Sequence, residues 1–199
     1  MPEQPDAELV EAWAAGDRTA GQELIRRHAA RLRRFFGYRA GDRAEDLVQA
    51  TLLECIRSRD RLRDAAAFRS FLFGIAYNVL RTHARRWQRD DGQAPIDSGV
   101  AAQSPTPSRA VAARHDRARL AHALRRLPVE LQVALQLHYW EELTAAEISE
   151  VLGWPLGTVK TRLRRAHREL SESLRSTSAQ APIDLERTLR EWLDDVADA

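Results

Sequence analysis

Helical periodicity runs through most of this chain, and it narrows the available folds more than any other feature. Residues 20–38 show it well, because apolar side chains recur there at intervals of three and four. Alternating Val, Ile or Thr between turn residues, which would mark strands, is nearly absent. We therefore predict an all-α protein. Its first helix would be capped by Asp6, and further helices would run over about 20–38, 43–59 and 67–89.

One segment breaks the pattern. Asp90–Ser108 reads DDGQAPIDSGVAAQSPTPS and has no apolar face, which is typical of a mobile linker. Periodicity resumes near Val111 and continues to about Leu174. The sequence thus predicts two small helical domains, residues 1–89 and 111–174, joined by a flexible linker over 90–110. A C-terminal extension over 175–199 would contain a short amphipathic helix.

Charge and composition exclude several classes of protein. Two windows, Arg81–Arg89 and Leu156–Arg168, are basic and free of acids, although the net charge is only +2; such clustering suits a polyanionic partner. The longest apolar run, Phe71–Tyr77, is far short of the roughly 20 residues that span a bilayer. The N-terminus lacks the pattern of a secretion signal, and Cys55 is the lone cysteine. We expect a cytoplasmic protein with no membrane insertion, metal site or cofactor.

The most specific local motif is LTAAEISEVLGWPLGTVKTRLRRAHREL, residues 143–170. Thr144 followed by Glu147 forms a capping box that starts a helix. Gly153 suits the left-handed residue that ends that helix, and Pro155 suits the start of the next one. Two helices separated by three or four residues predict a helix-turn-helix.

The second helix of this motif divides into two faces. The inner face carries Val159, Leu163, Ala166 and Leu170. The outer face carries the candidate DNA contacts, which are Thr158, Lys160, Thr161, Arg164, Arg165 and Arg168. A basic face can also be merely solvated. We favour DNA binding because the capping box, the turn residues and the acid-free face occur together.

The third predicted helix carries an apolar residue on its polar side. Val48, Thr51, Leu52 and Cys55 share its inner face, with Ile56 at the edge. Asp46, Gln49, Leu53 and Arg57 lie opposite. Leu53 therefore indicates a docking surface with Asp46 and Gln49 as polar anchors, although a single exposed leucine is also ordinary.

The fourth predicted helix combines aromatic and basic residues. Its inner face would be formed by Phe68, Leu72, Ile75, Ala76 and Val79. Its outer face would show Tyr77, Asn78, Arg81, Arg85 and Gln88, with Arg89 beside them. Rings that stack on bases, next to cations that follow phosphates, suit single-stranded nucleic acid.

These segments together resemble the extracytoplasmic-function group of sigma factors, within the sigma-70 family. RAEDLVQATLLECIR, residues 43–57, resembles region 2.2 of that family, and FRSFLFGIAYNVLRTHARRW, residues 68–87, resembles regions 2.3 and 2.4. Residues 124–170 resemble region 4, and the similarity covers about residues 6–172. Where region 2.2 often has an aromatic residue and a tryptophan, this chain has Leu52 and Cys55 or Ile56.

The resemblance implies a promoter-specificity subunit of RNA polymerase rather than an enzyme. Asp46, Gln49 and Leu53 would bind the clamp helices of the polymerase β′ subunit. The second domain would read the −35 element as duplex DNA. The first domain would open the −10 element and capture a base at the loop over 61–67. The residues for that role would be Arg61, Arg63, Asp64, Asn78, Arg81 and Arg85.

The C-terminal extension lies outside the resemblance. Leu185, Leu189, Trp192 and Val196 recur at intervals of four, three and four, and Asp184 could cap this helix. An isolated short helix is marginal in water, so its apolar face needs a surface to pack on. The alternatives are a regulatory segment, which packs on one of the two domains or receives another protein, and a helix that only adds stability. An anti-sigma factor is a further candidate partner.

Two other functions remain open from the residues alone. A stand-alone helix-turn-helix regulator would bind DNA without joining RNA polymerase. A metal-dependent HD phosphohydrolase would use His115 and Asp116, with His28, His83 or His122 as further ligands. A two-residue match of that kind is expected by chance.

Overall fold

The computed structural model describes residues 4–62, 64–90, 120, 122–124, 126–176 and 189 of the chain. Within those ranges the regular structure is helical and includes no strand, which confirms the all-α prediction. The α-helices are α1 (Asp6–Ala14), α2 (Arg18–Ala40), α3 (Ala44–Ser58), α4 (Phe68–Asp90), α5 (Val129–Tyr139), α6 (Ala145–Leu152) and α7 (Leu156–Ser176). Short 3-10 turns cover Gly41–Arg43, Arg59–Arg61 and Ala65–Ala67.

The helices fall into two groups along the chain. The first group is α1–α4, which ends at Asp90, and the second group is α5–α7, which begins at Val129. Nearly all of the predicted linker and the beginning of the predicted second domain lie outside the described residues. In the part of the chain that is described, no helix has the length and apolar character needed to cross a membrane.

The prediction that Asp6 caps α1 is wrong. Pro5 occupies the N-cap position, and Asp6 is the first helical residue. Its carboxylate instead reaches α2, where Arg27 donates to Oδ1 over 3.1 Å and His28 Nε2 lies 2.7 Å from Oδ2. Asp6 therefore joins two helices rather than starting one. Asp17 caps α2, because its Oδ1 accepts the N–H groups of the first turn.

The core of α1–α4 is formed by large apolar side chains from all four helices. The ring of Phe35 on α2 lies 5.5 Å from that of Phe73 on α4, and both are fully buried. Leu47 and Val48 add the inner face of α3. Each aromatic core side chain of this size contributes about 1.5–3 kcal/mol through its burial.

Helix α4 is buried over a wider arc than the sequence predicts. Tyr77, expected on the outer face, is only 8% exposed, whereas Ile75 and Val79 are half-buried. Because α4 contacts both α2 and α3, a residue outside the single predicted stripe still meets a neighbouring helix. Phe68, Leu72 and Ala76 are buried as predicted.

Helix α5 is the central helix of the second group. Its residues from Leu131 to Leu137 are all buried, including two glutamines. Gln132 Nε2 donates to the carbonyl of Leu127 over 2.8 Å, which offsets part of the cost of burying its amide. The chain then turns through Trp140–Leu143, where Glu142 has a φ of +53°.

Candidate functional site

The connection between α6 and α7 has the geometry of a helix-turn-helix. Glu147 N–H donates to Thr144 Oγ1 over 3.3 Å, and Thr144 N–H donates to Glu147 Oε2 over 2.7 Å, so the predicted capping box is confirmed. Gly153 ends α6 in the left-handed conformation, with a φ of +66°. The Pro155 carbonyl accepts from the N–H groups of Thr158 and Val159, which starts α7.

The inner face of α7 anchors this helix to the second group. Val159, Ala166 and Leu170 are completely buried, and Leu174 is nearly so. Leu163, predicted on the same face, is half-buried. Since α7 packs against α5 along this stripe, its opposite side is directed to solvent.

The outer face of α7 contains the predicted DNA contacts, and the structure separates them by what each one touches. Lys160, Thr161, Arg164, Arg165 and Arg168 are exposed, and Thr158 is half-buried. The Thr161 hydroxyl donates to the Gly157 carbonyl over 2.8 Å, and Arg165 Nε lies 2.6 Å from Glu169 Oε1. Among the described residues, Lys160, Arg164 and Arg168 have no ion pair with an acid.

Two further residues of α7 were missed by the sequence reasoning. Leu156, the first residue of α7, is 42% exposed, and it precedes Lys160 by one helical turn. That spacing was the signal that could have placed it on the outer face. The guanidinium of Arg162 lies 4.0 Å from the ring centroid of Trp154, a cation–π contact that fastens α7 to the turn.

Helix α3 presents a continuous exposed stripe. Asp46, Gln49 and Leu53 are all exposed, and Leu53 is 54% exposed. Ile56, predicted at the edge of the inner face, is 44% exposed and continues the stripe at an interval of three. Opposite them, burial raises the pKa of the Cys55 thiol to about 12, so this cysteine stays protonated in the core.

The turns before α4, and α4 itself, carry most of the other predicted nucleic-acid contacts. Asn78, Arg81 and Arg85 are exposed at intervals of three and four along α4. Arg61 is exposed in the preceding 3-10 turn. The Asp64 carboxylate accepts the N–H of Ala66 over 2.9 Å and so caps the turn Ala65–Ala67. Arg63 lies outside the described residues.

The histidines do not assemble a metal site in the part of the chain that is described, where no three His, Cys, Asp or Glu side chains come together. His28 is buried against Asp6, and burial lowers its pKa despite that partner. Burial also lowers the pKa of His83, with the charges of Arg86 and Arg43 in support. His115 and Asp116, the predicted dyad, lie outside the described residues.

Comparison with known proteins agrees with this arrangement. The Sigma-70 region 2 family model matches residues 22–90, and the Sigma-70, region 4 model matches residues 108–170. ECF RNA polymerase sigma factor SigM of Mycobacterium tuberculosis is 33% identical over 176 residues, which is 86% of each chain. RNA polymerase sigma factor CarQ of Myxococcus xanthus is 32% identical, over 83% of this chain and 95% of its own.

A solved structure supports the same relationship. The structure of CnrH in complex with the cytosolic domain of CnrY superposes with a TM-score of 0.62 at 26% sequence identity, covering 87% of this chain and 99% of that one. The relatives and both family models favour neither the stand-alone regulator nor the phosphohydrolase. The chain therefore belongs to the sigma-70 family of RNA polymerase sigma factors, as a member of its extracytoplasmic-function group.

Proposed function

We propose that α3 binds core RNA polymerase, that α7 reads the −35 element as a duplex, and that α4 with the turns before it opens the −10 element. The family establishes the broader role, which is promoter-directed initiation of transcription by a factor that is not itself an enzyme. In this proposal residues 1–89 and 111–174 act as separate domains joined by the 90–110 linker, and the protein works in the cytoplasm.

The exposed stripe on α3 is the observation that carries the polymerase contact. Leu53 and Ile56 together expose two large apolar side chains on a helix whose opposite face is completely buried. Apolar anchors surrounded by polar groups are the usual centre of a protein interface. Asp46 and Gln49 supply the polar part, and they lie two turns and one turn before Leu53, respectively. Ile56 extends the predicted surface beyond the three residues identified from the sequence.

The exposed cations on α7 that form no ion pair within the described part of the chain support the −35 contact. The first turns of a recognition helix meet base edges, and later residues meet phosphates. Lys160 and Arg164 lie within the first three turns, whereas Arg168 lies further along. Arg165 can exchange Glu169 for a phosphate at little cost, because an exposed ion pair is worth only about 0.2–1 kcal/mol. In this proposal Leu156, which is exposed at the start of α7, contacts a thymine methyl group.

The −10 contact rests on Asn78, Arg81 and Arg85 in one exposed row, with Arg61 in the turn before α4. Side chains of this kind hydrogen-bond to single-stranded bases and follow the phosphates. Asp64 has a structural task as a turn cap, so its contribution to DNA would be indirect. The roles of Arg63 and of an anti-sigma partner stay predictions.

Direct binding to core polymerase tests the first part of the proposal. Asp46→Arg, combined with Leu53→Ala, should weaken binding at least tenfold, equivalent to about 1.4 kcal/mol. Glu8→Arg is the matched control, because it reverses an exposed acid on α1, away from the stripe. If the two variants bound core polymerase with equal affinity, α3 would not be the docking surface.

Salt-dependent DNA binding tests the second part. Arg164→Ala and Arg168→Ala should each weaken binding to duplex −35 DNA. A residue that contacts a phosphate should reduce the slope of log affinity against log salt by about 1, whereas a residue that contacts a base should relax sequence preference instead. Arg175→Ala, at the end of the same helix, is the control.

A further inference from the structure

The central part of helix α5 is enclosed on every side, although Glu130 and His138 near its two ends are exposed. Seven successive residues, Leu131–Leu137, are buried, and at 100° per residue they cover the whole circumference. The inner face of α7 accounts for one side of α5. Additional parts of the chain must therefore cover the other sides.

One residue of the C-terminal extension lies in this domain. Leu189 is completely buried, and its carbonyl accepts the indole N–H of Trp140 over 2.6 Å. Trp140 is the residue at which α5 ends, 49 positions earlier in the sequence. A buried leucine whose backbone is also hydrogen-bonded to a distant side chain is fixed in place by tertiary structure and not by its local sequence.

Charge favours the same association. Residues 183–199 contain six acids and two arginines, whereas α7 contains six lysine or arginine residues and two acids. Oppositely charged segments of one domain attract each other over distances of about 8 Å at physiological salt.

We infer that the C-terminal segment, residues 183–196, is a built-in ligand of the second domain, held at the Trp140 end of α5 by Leu189. The surface that receives it is a docking site for an amphipathic helix, and the occupant of that site is this segment of the same chain. The site lies at the beginning of the turn Trp140–Leu143, four residues before the Thr144 cap of α6. The segment thereby holds the entry to the helix-turn-helix. This inference does not depend on polymerase or DNA binding.

Hydrogen exchange of the full chain tests the inference. In the unmodified protein, peptides that contain Leu189 should exchange at least tenfold more slowly than a free peptide of the same sequence. Leu189→Ala should remove that protection and also increase exchange in residues 140–144. It should lower the melting temperature of the second domain by about 8 °C or more, as expected for a buried leucine in a small domain. Arg187→Ala, in the same segment, should change neither quantity.

A peptide experiment shows whether the site accepts the segment in trans. A synthetic peptide of residues 183–199 should bind the full-length Leu189→Ala protein and restore protection at residues 140–144, and the same peptide with Leu189→Ala should not. Exchange of the native segment at the rate of a free peptide would overturn the inference. Failure of the unmodified peptide to bind the Leu189→Ala protein would overturn the docking site.

Discussion

The contact between α1 and α2 gives the sharpest stability prediction. Gly21 lies against the indole of Trp13, so that a Cβ added at Gly21 would fall 2.5 Å from Nε1 and 2.6 Å from Cδ1 of that ring. Trp13 is only 7% exposed, so its ring has little room to move away. Gly37 occupies the same helix and offers a matched control, because a Cβ there would meet nothing within 4 Å.

Gly21→Ala and Gly37→Ala should change the free energy of unfolding in opposite directions. Gly21→Ala costs about 1–3 kcal/mol through overpacking, and the better helix propensity of alanine returns at most about 1 kcal/mol. Its net effect should be a loss of up to about 2 kcal/mol. At position 37 alanine brings only the gain in helix propensity, so Gly37→Ala should raise the free energy of unfolding by up to about 1 kcal/mol.

Thermal unfolding of the full chain measures the difference. The propensity gain is common to both variants, so their stabilities should differ by the overpacking cost of about 1–3 kcal/mol. For a domain of this size, 1 kcal/mol corresponds to about 4–8 °C, so the two melting temperatures should differ by about 4 °C or more. The loss in Gly21→Ala should shrink when Trp13 is also replaced by valine, because the clash then disappears. A Gly21→Ala protein as stable as the Gly37→Ala protein would refute this account of the α1–α2 contact.

Three further predictions concern single groups. Burial lowers the pKa of His28, and although burial raises the pKa of Asp6, hydrogen bonds from His28 and Arg27 lower it overall. The folded state therefore binds fewer protons than the unfolded state, so stability should be lost as pH falls below about 6.5. His28→Gln should make the denaturation midpoint depend less on pH between pH 7 and 5, and an unchanged dependence on pH would contradict this. Thr144→Ala removes the cap and should lower the free energy of unfolding, measured by chemical denaturation, by about 1 kcal/mol. A decrease of less than about a third of that value would argue against the capping box. Glu142→Gly should raise the melting temperature, because glycine adopts a positive φ without the strain of about 1 kcal/mol that a glutamate has there. A melting temperature below that of the unmodified protein would show that the turn is not strained.

Local features of the sequence predicted local structure well. The capping box at Thr144 and the left-handed Gly153 depend on groups within a few residues of each other, so the pattern contains all the necessary information. The inner stripes of α3 and α7 follow from helical periodicity for the same reason. The exposed positions of Leu53 and of the α7 cations were also predictable from spacing.

Features that depend on distant residues were not predictable. Asp6 resembles a helix cap, but its partners lie 21 and 22 residues away on α2. Tyr77 is buried because two helices flank α4, which periodicity along one helix does not reveal. Ile56 lies at the edge of the inner stripe, where periodicity alone does not decide whether a side chain is exposed. Leu156 is different, because its spacing from Lys160 could have placed it on the outer face. The contact of Leu189 with Trp140 joins segments whose separation in sequence gives no pairing rule.

Run-off transcription with core RNA polymerase and a library of promoter fragments tests the central claim most directly. The account predicts specific transcripts with the unmodified protein, and their loss when Asp46→Arg, Gln49→Ala and Leu53→Ala are combined in one variant that still binds duplex DNA. A protein that binds duplex DNA but never directs core polymerase to a start site would contradict the account.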